Sequence, residues 1–414
     1  MVPRPHIYIG SRAVDQLLRY ASARGLSRFS LVADANTYAA LGGRVEAELR
    51  SAGHDVRTIL LAGPEVIVDE LQVVDVLLRN DSRDRAFLAV GSGTITDITR
   101  FVTLQTGGAF ISVPTAPSVD GYTSPITPMV LRRLKITGPG RLPDAIFADL
   151  DTLAAAPHKM IASGAGDVIA KWTSTADWRL GSLIWTDRFD EAIARRFTAA
   201  LNQVVDHADE IGQATPAGIR ALMEALIEAG LCMADFGISM PASGSEHLLS
   251  HFWESRLLYE ERPALLHGAK VGVGTSLIAR YWQQVRGMSR DEAARRLTAS
   301  GLPDREGEVA NIRAGWPFAV DQVLGEQKVF LDMDEAGYRA LCDRVLEHWD
   351  DIQAIAAEVP APDTVIDTLR RVGGPTTVAE LGLAPRDLED ALAYAHYLRS
   401  RVPMLRLRRM LQIN

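Results

Sequence analysis

The sequence contains little cysteine and no long hydrophobic run. Its two cysteines, Cys232 and Cys342, lie far apart among 414 residues and form no Cys-x-x-Cys pair. Neither a disulfide framework nor a thiolate zinc site is indicated, and a reducing compartment fits. No uncharged apolar run approaches the ~20 residues of a membrane span, and the first residues lack the apolar core of a signal peptide. We therefore expect a cytoplasmic protein with no membrane partner.

The sequence also lacks a basic excess. The formal net charge is -8 and the isoelectric point is about 5.7, which argues against a nucleic acid partner. The concentrated basic run, Arg399 to Arg409, alternates with leucine and methionine and is interpreted as a solvated amphipathic face. With 47% hydrophobic residues the chain can bury large cores, and its length predicts about two or three domains.

Short β-rich runs alternate with amphipathic stretches of helical length over the first 150 residues. This order is typical of a parallel sheet with crossover helices. The amphipathic stretches include 13–23. Beyond Asp149 helical stretches, among them 333–359 and 388–411, follow one another without a convincing strand. We therefore predict a Rossmann-like α/β domain over 1–150 and an all-α domain over 151–414. The strand-like runs are 29–33, 58–61, 86–90, 109–113 and 145–148.

Two loops of the predicted sheet have the composition of a cofactor site. GSGTITD, 91–97, joins a strand to a helix, where free N–H groups and the helix dipole favour a phosphate. The third glycine of the usual dinucleotide motif is absent and the turn follows a late strand, which disfavours an ordinary Rossmann site. The second loop, 113–128, holds four prolines and five serine or threonine side chains around Asp120. It is either a sculpted polar pocket wall or an ordinary surface loop.

Asp34 ends the first strand-like run, at a position suited to bonding an adenosine ribose. The same position suits the N-cap of the following helix. The pattern leaves both interpretations open.

Three of the nine histidines lie within 243–270. His247 and His251 are four residues apart on a predicted helix and share one face, and His267 follows a turn at Pro263. Two histidines and one carboxylate would form an open metal site, although such pairs also occur on packed or solvated faces. Asp167, flanked by glycine at the start of a helix in SGAGDVIAK, is the best candidate for the carboxylate; it could instead complement the helix dipole.

Several motifs, in order, resemble those of the glycerol-1-phosphate dehydrogenases of the bacterial AraM type. These belong to the superfamily of iron-containing alcohol dehydrogenases, glycerol dehydrogenases and dehydroquinate synthases, so the resemblance implies a dehydroquinate synthase-like fold. It covers about Asp34 to Gly274. The motifs are VGSGTITDITRF, ISVPTAPSVDGYTSPITP, FADLDTL, GAGDVIAKWTSTADW, SGSEHLLSH and LLHGAKVGVG.

The resemblance implies that Asp167, His247 and His267 hold one divalent metal ion, zinc or nickel, with iron as a further alternative. It places substrate contacts at Asp120, Asp167 and His251, and makes His251 and Asp120 the expected catalytic residues. A homodimer or larger homo-oligomer is also expected. The resemblance also implies contacts with the cofactor, NAD(H) or NADP(H), at Gly91, Ser92, Gly93, Thr94, Asp97, Thr115, Ala116, Pro117, Ser118 and Ser124. We add Asp34 to these contacts.

The reaction implied by the resemblance is reduction of a phosphorylated triose, dihydroxyacetone phosphate, to sn-glycerol 1-phosphate. NADH or NADPH would deliver hydride to a carbonyl polarised by the metal, and His251 or bound water would supply the proton. The alternatives are a related dehydrogenase for an unphosphorylated polyol such as glycerol, or for a cyclitol or sugar ketone, and an idle relative that only binds nucleotide. The sequence locates no phosphate clamp, because surface solvation explains Arg132, Arg133, Lys135, Lys171 and Lys270 equally well.

Overall fold

The computed structural model describes residues 3–63, 66–132 and 134–413, with the side chain of Leu134 left out; Arg133 therefore lies outside the described residues. The chain divides into two compact units. The first comprises Met1–Val168, Ala199–Ser239 and Arg371–Gly373. The second comprises Ile169–Thr198, Met240–Arg370 and Gly374–Asn414.

The first unit is built on a six-stranded parallel sheet with the order β1-β8-β5-β4-β2-β3, and a two-stranded antiparallel hairpin, β6-β7, follows β5. In the described chain, no strand occurs beyond Asp149, as the sequence predicts. The strands are β1 His6–Gly10, β2 Arg28–Asp34, β3 Asp55–Leu61, β4 Ala86–Gly91, β5 Phe110–Pro114, β6 Ile126–Leu131, β7 Leu134–Pro139 and β8 Ala145–Asp149.

Helices pack on both faces of the sheet because its strands alternate apolar side chains between the two faces. In β4, Leu88 and Val90 join a core with α1 and α3, whereas Phe87 and Ala89 join a core with α4 and α5. The helices of the first 157 residues are α1 Ala13–Ala23, α2 Ala35–Thr37, α3 Gly43–Ser51, α4 Glu70–Arg79, α5 Gly93–Thr106 and α6 Leu150–Ala154, with a π-helical turn Tyr38–Gly42 and a 3-10 turn Asp120–Thr123.

The rest of the chain is helical, which confirms the predicted fold class. The predicted helix at 333–359 is two helices that meet at His348, and the one at 388–411 is interrupted before Pro403. The helices are α7 His158–Ile169, α8 Lys171–Ile184, α9 Glu191–Asp206, α10 Ala208–Gly212, α11 Pro216–Phe236, α12 Ser245–Tyr259, α13 His267–Arg286, α14 Arg290–Ser300, α15 Arg305–Gly315, α16 Val320–Glu326, α17 Lys328–Leu331, α18 Glu335–Glu347, α19 Trp349–Glu358, α20 Pro362–Arg371, α21 Pro385–Tyr394 and α22 Met404–Met410, with 3-10 turns Met240–Ala242 and Ala395–Leu398.

The C-terminal arginine run is not a solvated face, and the sequence interpretation was wrong here. Arg406 is buried, its guanidinium lying 3.5 Å from the centroid of the Phe330 ring. Arg409 makes two hydrogen bonds to Glu308, at 3.1 and 2.7 Å. The arginines alternate with buried Met404, Leu405 and Leu407 because α22 is surrounded by other helices of the second unit. Contacts with acidic and aromatic partners offset the free-energy cost of burying the arginine charges.

None of the helices in the described part of the chain is long and apolar enough to cross a membrane.

Candidate functional site

The second unit brings the three predicted histidines into one cluster. His247 and His251 lie on α12, and His267 is the first residue of α13, which packs against α12. The ring centroids are 5.3 Å apart for His247 and His267, 5.5 Å for His251 and His267, and 6.1 Å for His247 and His251. A ring nitrogen of His247 and one of His267 lie within 4.8 Å of each other, close enough to share a metal ion.

A buried carboxylate fixes the orientation of His247. Nδ1 of His247 lies 2.8 Å from Oε1 of Glu246, which also accepts from the backbone N–H of Gly244 at 2.8 Å. The hydroxyl of Thr173 donates to Oε2 at 2.6 Å. Because a carboxylate only accepts, Nδ1 carries a proton, and in the neutral ring Nε2 is the nitrogen with a lone pair for a cation, an arrangement common behind metal-binding histidines.

Glu246 is fully buried, and burial by itself would raise its pKa. The hydrogen bond from His247, the positive charge of that ring when protonated and the Thr173 hydroxyl outweigh burial, so the pKa stays below its usual value. The sequence analysis missed Glu246, although an acid directly before a candidate ligand was a usable signal.

The start of α12 is held in place by a second buried carboxylate. Asp177 accepts from the backbone N–H of Ser245 at 2.7 Å and from that of Met404 at 3.0 Å. Oγ of Ser245 accepts from the N–H of Leu405 at 3.0 Å. Burial and the nearby charge of Glu246 raise the pKa of Asp177 to about 7. The helix that carries two histidines is therefore tied to the first turn of α22.

Lys171 and Lys270 were interpreted as solvated surface residues, but the structure buries both. Lys171 is 2% exposed and its Nζ donates to the carbonyl of Ala242 at 3.4 Å. Lys270 is 1% exposed, with Nζ 3.6 Å from Oε2 of Glu254. These ammonium groups are buried because their helices pack inside the unit, a feature that sequence spacing cannot show. Arg132, by contrast, is exposed.

Glu254 also lies near the histidine that the sequence assigns to substrate. Its Oε2 is 3.6 Å from Nδ1 of His251. His251, Glu254 and His267 each offer a ligand atom within 4.8 Å of the others. A cation could therefore use His267 with either neighbouring histidine, so the different roles of His247 and His251 stay a prediction.

The first unit places Asp167 beside Asp120. Asp167 is fully buried two residues before the end of α7, not at the start of a helix as the sequence predicted, and its Oδ2 accepts from the backbone N–H of Asp120 at 2.9 Å. One turn earlier, a Cβ on Gly164 would lie 1.9 Å from the carbonyl oxygen of Pro117. Only glycine allows α7 to approach the loop this closely. The predicted acid and the predicted loop are thus neighbours, although they are 47 residues apart in sequence.

The predicted cofactor residues lie at the carboxyl ends of neighbouring strands. Gly91 ends β4, Ser92 precedes α5, and Gly93 begins that helix. The N–H of Thr115, just after β5, donates to the carbonyl of Gly91 at 3.2 Å. Thr115, Ala116, Ser118 and Ser124 are buried, so this stretch is not an ordinary surface loop. Carboxyl ends of parallel strands are the usual position for a nucleotide.

Two predicted cofactor acids already have bonding partners. Asp34 is the N-cap of α2, where its side chain accepts from the N–H of Thr37 at 2.8 Å; this was one of the two open interpretations. Asp97 pairs with buried Arg100, which also donates to the carbonyl of Tyr122 at 3.1 Å. Burial raises the pKa of Asp97 to about 6 although the charge of Arg100 opposes the rise. The sequence analysis missed Arg100.

Known proteins match both the sequence and the fold. A family model described as iron-containing alcohol dehydrogenase matches residues 8–157. Among solved structures, the chain is similar to the glycerol dehydrogenase of Schizosaccharomyces pombe, with TM-score 0.62 and 16% identity over 100% of this chain and 89% of that chain. It is also similar to the sulfoacetaldehyde reductase of Bifidobacterium kashiwanohense in complex with NAD+, with TM-score 0.60 and 15% identity over 100% and 97%. The fold is that of the iron-containing alcohol dehydrogenases.

Proteins of similar sequence show to which family within this fold the chain belongs. The chain is 34% identical to the glycerol-1-phosphate dehydrogenase (NAD(P)+) of Geobacillus thermodenitrificans, over 95% of this chain and 89% of that protein. It is 33% identical to the Bacillus subtilis protein of the same name, over 97% of this chain and 90% of that protein. The chain therefore belongs to the glycerol-1-phosphate dehydrogenase family.

Proposed function

We propose that this protein is a metal-dependent NAD(P)H oxidoreductase that reduces dihydroxyacetone phosphate to sn-glycerol 1-phosphate. The observation that supports it best is the oriented His247 within the histidine cluster. The names of the sequence relatives supply the substrate and the cofactor.

The donor atoms of the cluster suit a divalent metal such as zinc or nickel, because Nδ1 of His247 donates to buried Glu246 and leaves Nε2 as the nitrogen that can bind a metal. We propose Asp167, His247 and His267 as the ligands. When bound, the metal supplies Lewis acidity to the carbonyl of the substrate. His251 would then hold or deliver the proton, since an imidazole titrates near neutral pH, and Asp120 would contact the substrate.

We place the nicotinamide cofactor against the turn after β4 and the loop after β5. The start of α5 has no side-chain cap, so the backbone N–H groups of its first turn favour the phosphates of the cofactor. A cytoplasmic location and a homo-oligomeric state remain parts of the proposal. The proposed cofactor contacts are Asp34, Gly91, Ser92, Gly93, Thr94, Asp97, Thr115, Ala116, Pro117, Ser118 and Ser124.

The deciding experiment compares oxidation of NADH and NADPH by the metal-loaded protein with dihydroxyacetone phosphate or dihydroxyacetone. We expect turnover with the phosphorylated ketone and little with the other, and chiral analysis should identify sn-glycerol 1-phosphate. His207→Ala, changed on a partly exposed helix end, is the matched control and should keep full activity. Turnover restricted to dihydroxyacetone or another unphosphorylated ketone would overturn the substrate assignment.

A further inference from the structure

A cleft of about 800 Å3 lies within the first unit, at the amino ends of strands β5 and β8. Its wall includes segments 24–26, 108–109 and 140–144, and we call it the amino-end cleft. The proposed cofactor residues follow the opposite, carboxyl ends of β4 and β5, so the cleft is separate from them. Its volume lies in the range of small-molecule sites, about 300–1,000 Å3.

The side chains of the amino-end cleft carry a positive excess. The guanidinium groups of Arg4, Arg24 and Arg141 line it, together with one carboxylate, that of Asp144. Even when Asp235, which pairs with Arg4 at 2.7 Å, is counted, three positive charges stand against two negative ones. The chain as a whole has a net charge of -8, so the local excess is opposite to the overall sign. These charges favour an anion as the ligand.

Arg24 offers donors that no acid occupies. Its guanidinium lies over the ring of Tyr20, 5.4 Å from the centroid, and it forms no ion pair among the described residues. A guanidinium carries five N–H donors in a planar fork, which matches two oxygens of a phosphate or a carboxylate. Arg24 is therefore the side chain of the cleft that is best suited to bind the charged group of a ligand.

A second arginine is held in place before any ligand binds. Nη2 of Arg141 lies 3.1 Å from each carboxylate oxygen of Asp144, and Nη1 donates to the carbonyl of Gly108 at 3.0 Å. Oδ2 of Asp144 also accepts from the backbone N–H of Phe110 at 2.7 Å. Groups that are fixed in this way lose less freedom on binding, which favours affinity for a ligand.

The base of the hairpin β6-β7 closes one side of the cleft. Pro125 and Gly140 line it, and the N–H of Gly140 donates to the carbonyl of Pro125 at 2.9 Å. The carbonyl of Arg141 accepts from Nε of the buried Arg100 at 3.2 Å. This side of the cleft is therefore a bonded wall and not a free loop.

The rest of the wall is apolar. Leu26 and Leu142 are partly exposed in it, beside Pro3, Pro143 and Ala234. An inorganic anion would leave these side chains in contact with water, whereas an anion with an apolar body would cover them. The combination of a positive excess and an apolar wall therefore favours an organic anion over a free ion.

We infer that the amino-end cleft is a second ligand site, which binds an organic anion. Its phosphate or carboxylate head contacts Arg24, and its apolar body contacts Leu26 and Leu142. The inference does not depend on the proposed reaction, because the cleft contains none of the proposed metal, substrate or cofactor contacts.

Isothermal titration calorimetry of the full, metal-loaded chain saturated with NADH tests this, with hexyl phosphate and heptanoate as probes. At least one probe should bind, one molecule per chain, and the tighter one identifies the preferred head group. Hexanol and inorganic phosphate should bind at least about tenfold more weakly, because each lacks one half of the contact. No saturable binding of either probe, or equally tight binding of hexanol, would overturn the inference. A chain that does not bind NADH would contradict the proposed function alone, and the same titration without NADH would still test the cleft.

Substitutions locate the bound probe. Arg24→Gln should weaken binding about tenfold, because it removes the charge-assisted hydrogen bonds to the head group. Arg24 is exposed at the C-cap of α1, so the thermal unfolding midpoint should not change. Arg19→Gln, at an exposed position of the same helix outside the cleft, is the matched control and should bind the probe like the wild type. If Arg24→Gln bound as tightly as Arg19→Gln, or if saturation with NADH abolished binding, the cleft would not be the site.

Discussion

The carboxylate of Glu246 accepts a hydrogen bond from Nδ1 of His247 at 2.8 Å, and both side chains are buried. The same carboxylate is bonded to Gly244 and Thr173, so it cannot rotate freely. The tautomer and direction of one proposed metal ligand are therefore set before any metal binds. Preorganisation of this kind increases metal affinity because less order has to be created on binding.

Glu246→Gln should weaken metal binding by about 10- to 100-fold. The amide fits the site, because its oxygen can still accept from His247 and its NH2 can donate to the Thr173 hydroxyl, so the lost charge accounts for most of the effect. Competition with a chromophoric chelator measures the dissociation constant independently of turnover. Glu210→Gln, at an exposed position, should leave the constant unchanged. An unaltered metal affinity in Glu246→Gln would show that the carboxylate does not orient a ligand.

His267→Ala should lose bound metal and activity together, whereas His251→Ala should keep the metal and lose turnover. His267 adjoins both other rings, while His251 is assigned to substrate. Elemental analysis of the two purified variants distinguishes these outcomes. Metal loss from His251→Ala would instead assign the ion to His251, Glu254 and His267, the second set of adjacent ligand atoms.

The candidate site residues that the sequence indicated lie in short motifs. The residues that it missed are defined by contacts between segments that are distant in sequence. The i, i+4 spacing of His247 and His251 was enough to place both rings on one face of a helix. Arg100, in contrast, bonds carbonyls more than twenty residues away, and no periodicity indicates such a contact. The burial of Lys171 and Lys270 was missed for the same reason: burial depends on which helices pack around them.

The fold was predicted where the apolar pattern is regular. The predicted helix 13–23 matches α1. Strand β1 was missed because an edge strand is only half buried and its sequence, HIYIG, lacks a full apolar run. The hairpin β6-β7 was missed because prolines within it resemble loop residues. Proline is tolerated in this hairpin because it forms a separate two-stranded sheet, in which both strands are edge strands.

Gly164→Ala should destabilise the protein by about 1–3 kcal/mol and raise KM for NADH or NADPH. Alanine is the better helix former, so the loss would come from its Cβ, which would meet the carbonyl of Pro117 at 1.9 Å and displace the loop 113–128, which we propose to contact the cofactor. Gly325→Ala is the matched control: it lies in α16 with nothing within 4 Å and should stabilise the protein slightly. Thermal unfolding and initial rates test both; equal effects of the two changes would rule out the contact.

His396 is a buried base that the fold keeps neutral. Burial, together with the charges of Arg409, Arg406 and Arg408, holds its pKa well below the usual value. Nη1 of Arg409 lies 2.5 Å from Nε2 of His396. Since an arginine only donates, Nε2 must accept, and a protonated imidazole could not do so.

Acid should therefore destabilise the protein through His396. In the unfolded chain the pKa of this histidine is near the ordinary value of about 6.5. Below that pH the unfolded state therefore binds a proton that the folded state does not bind. The free energy of unfolding should fall by up to ~1.4 kcal/mol per pH unit as pH decreases from about 6.5, and no such loss should occur above it.

His396→Gln keeps an acceptor for Arg409 but cannot titrate, so its urea unfolding curves at pH 7.5, 6.5 and 5.5 should differ less than those of the wild type. His348→Gln, a change at a partly exposed helix junction, serves as control and should retain the wild-type slope. If His396→Gln also retained that slope, the acid sensitivity would have to arise elsewhere.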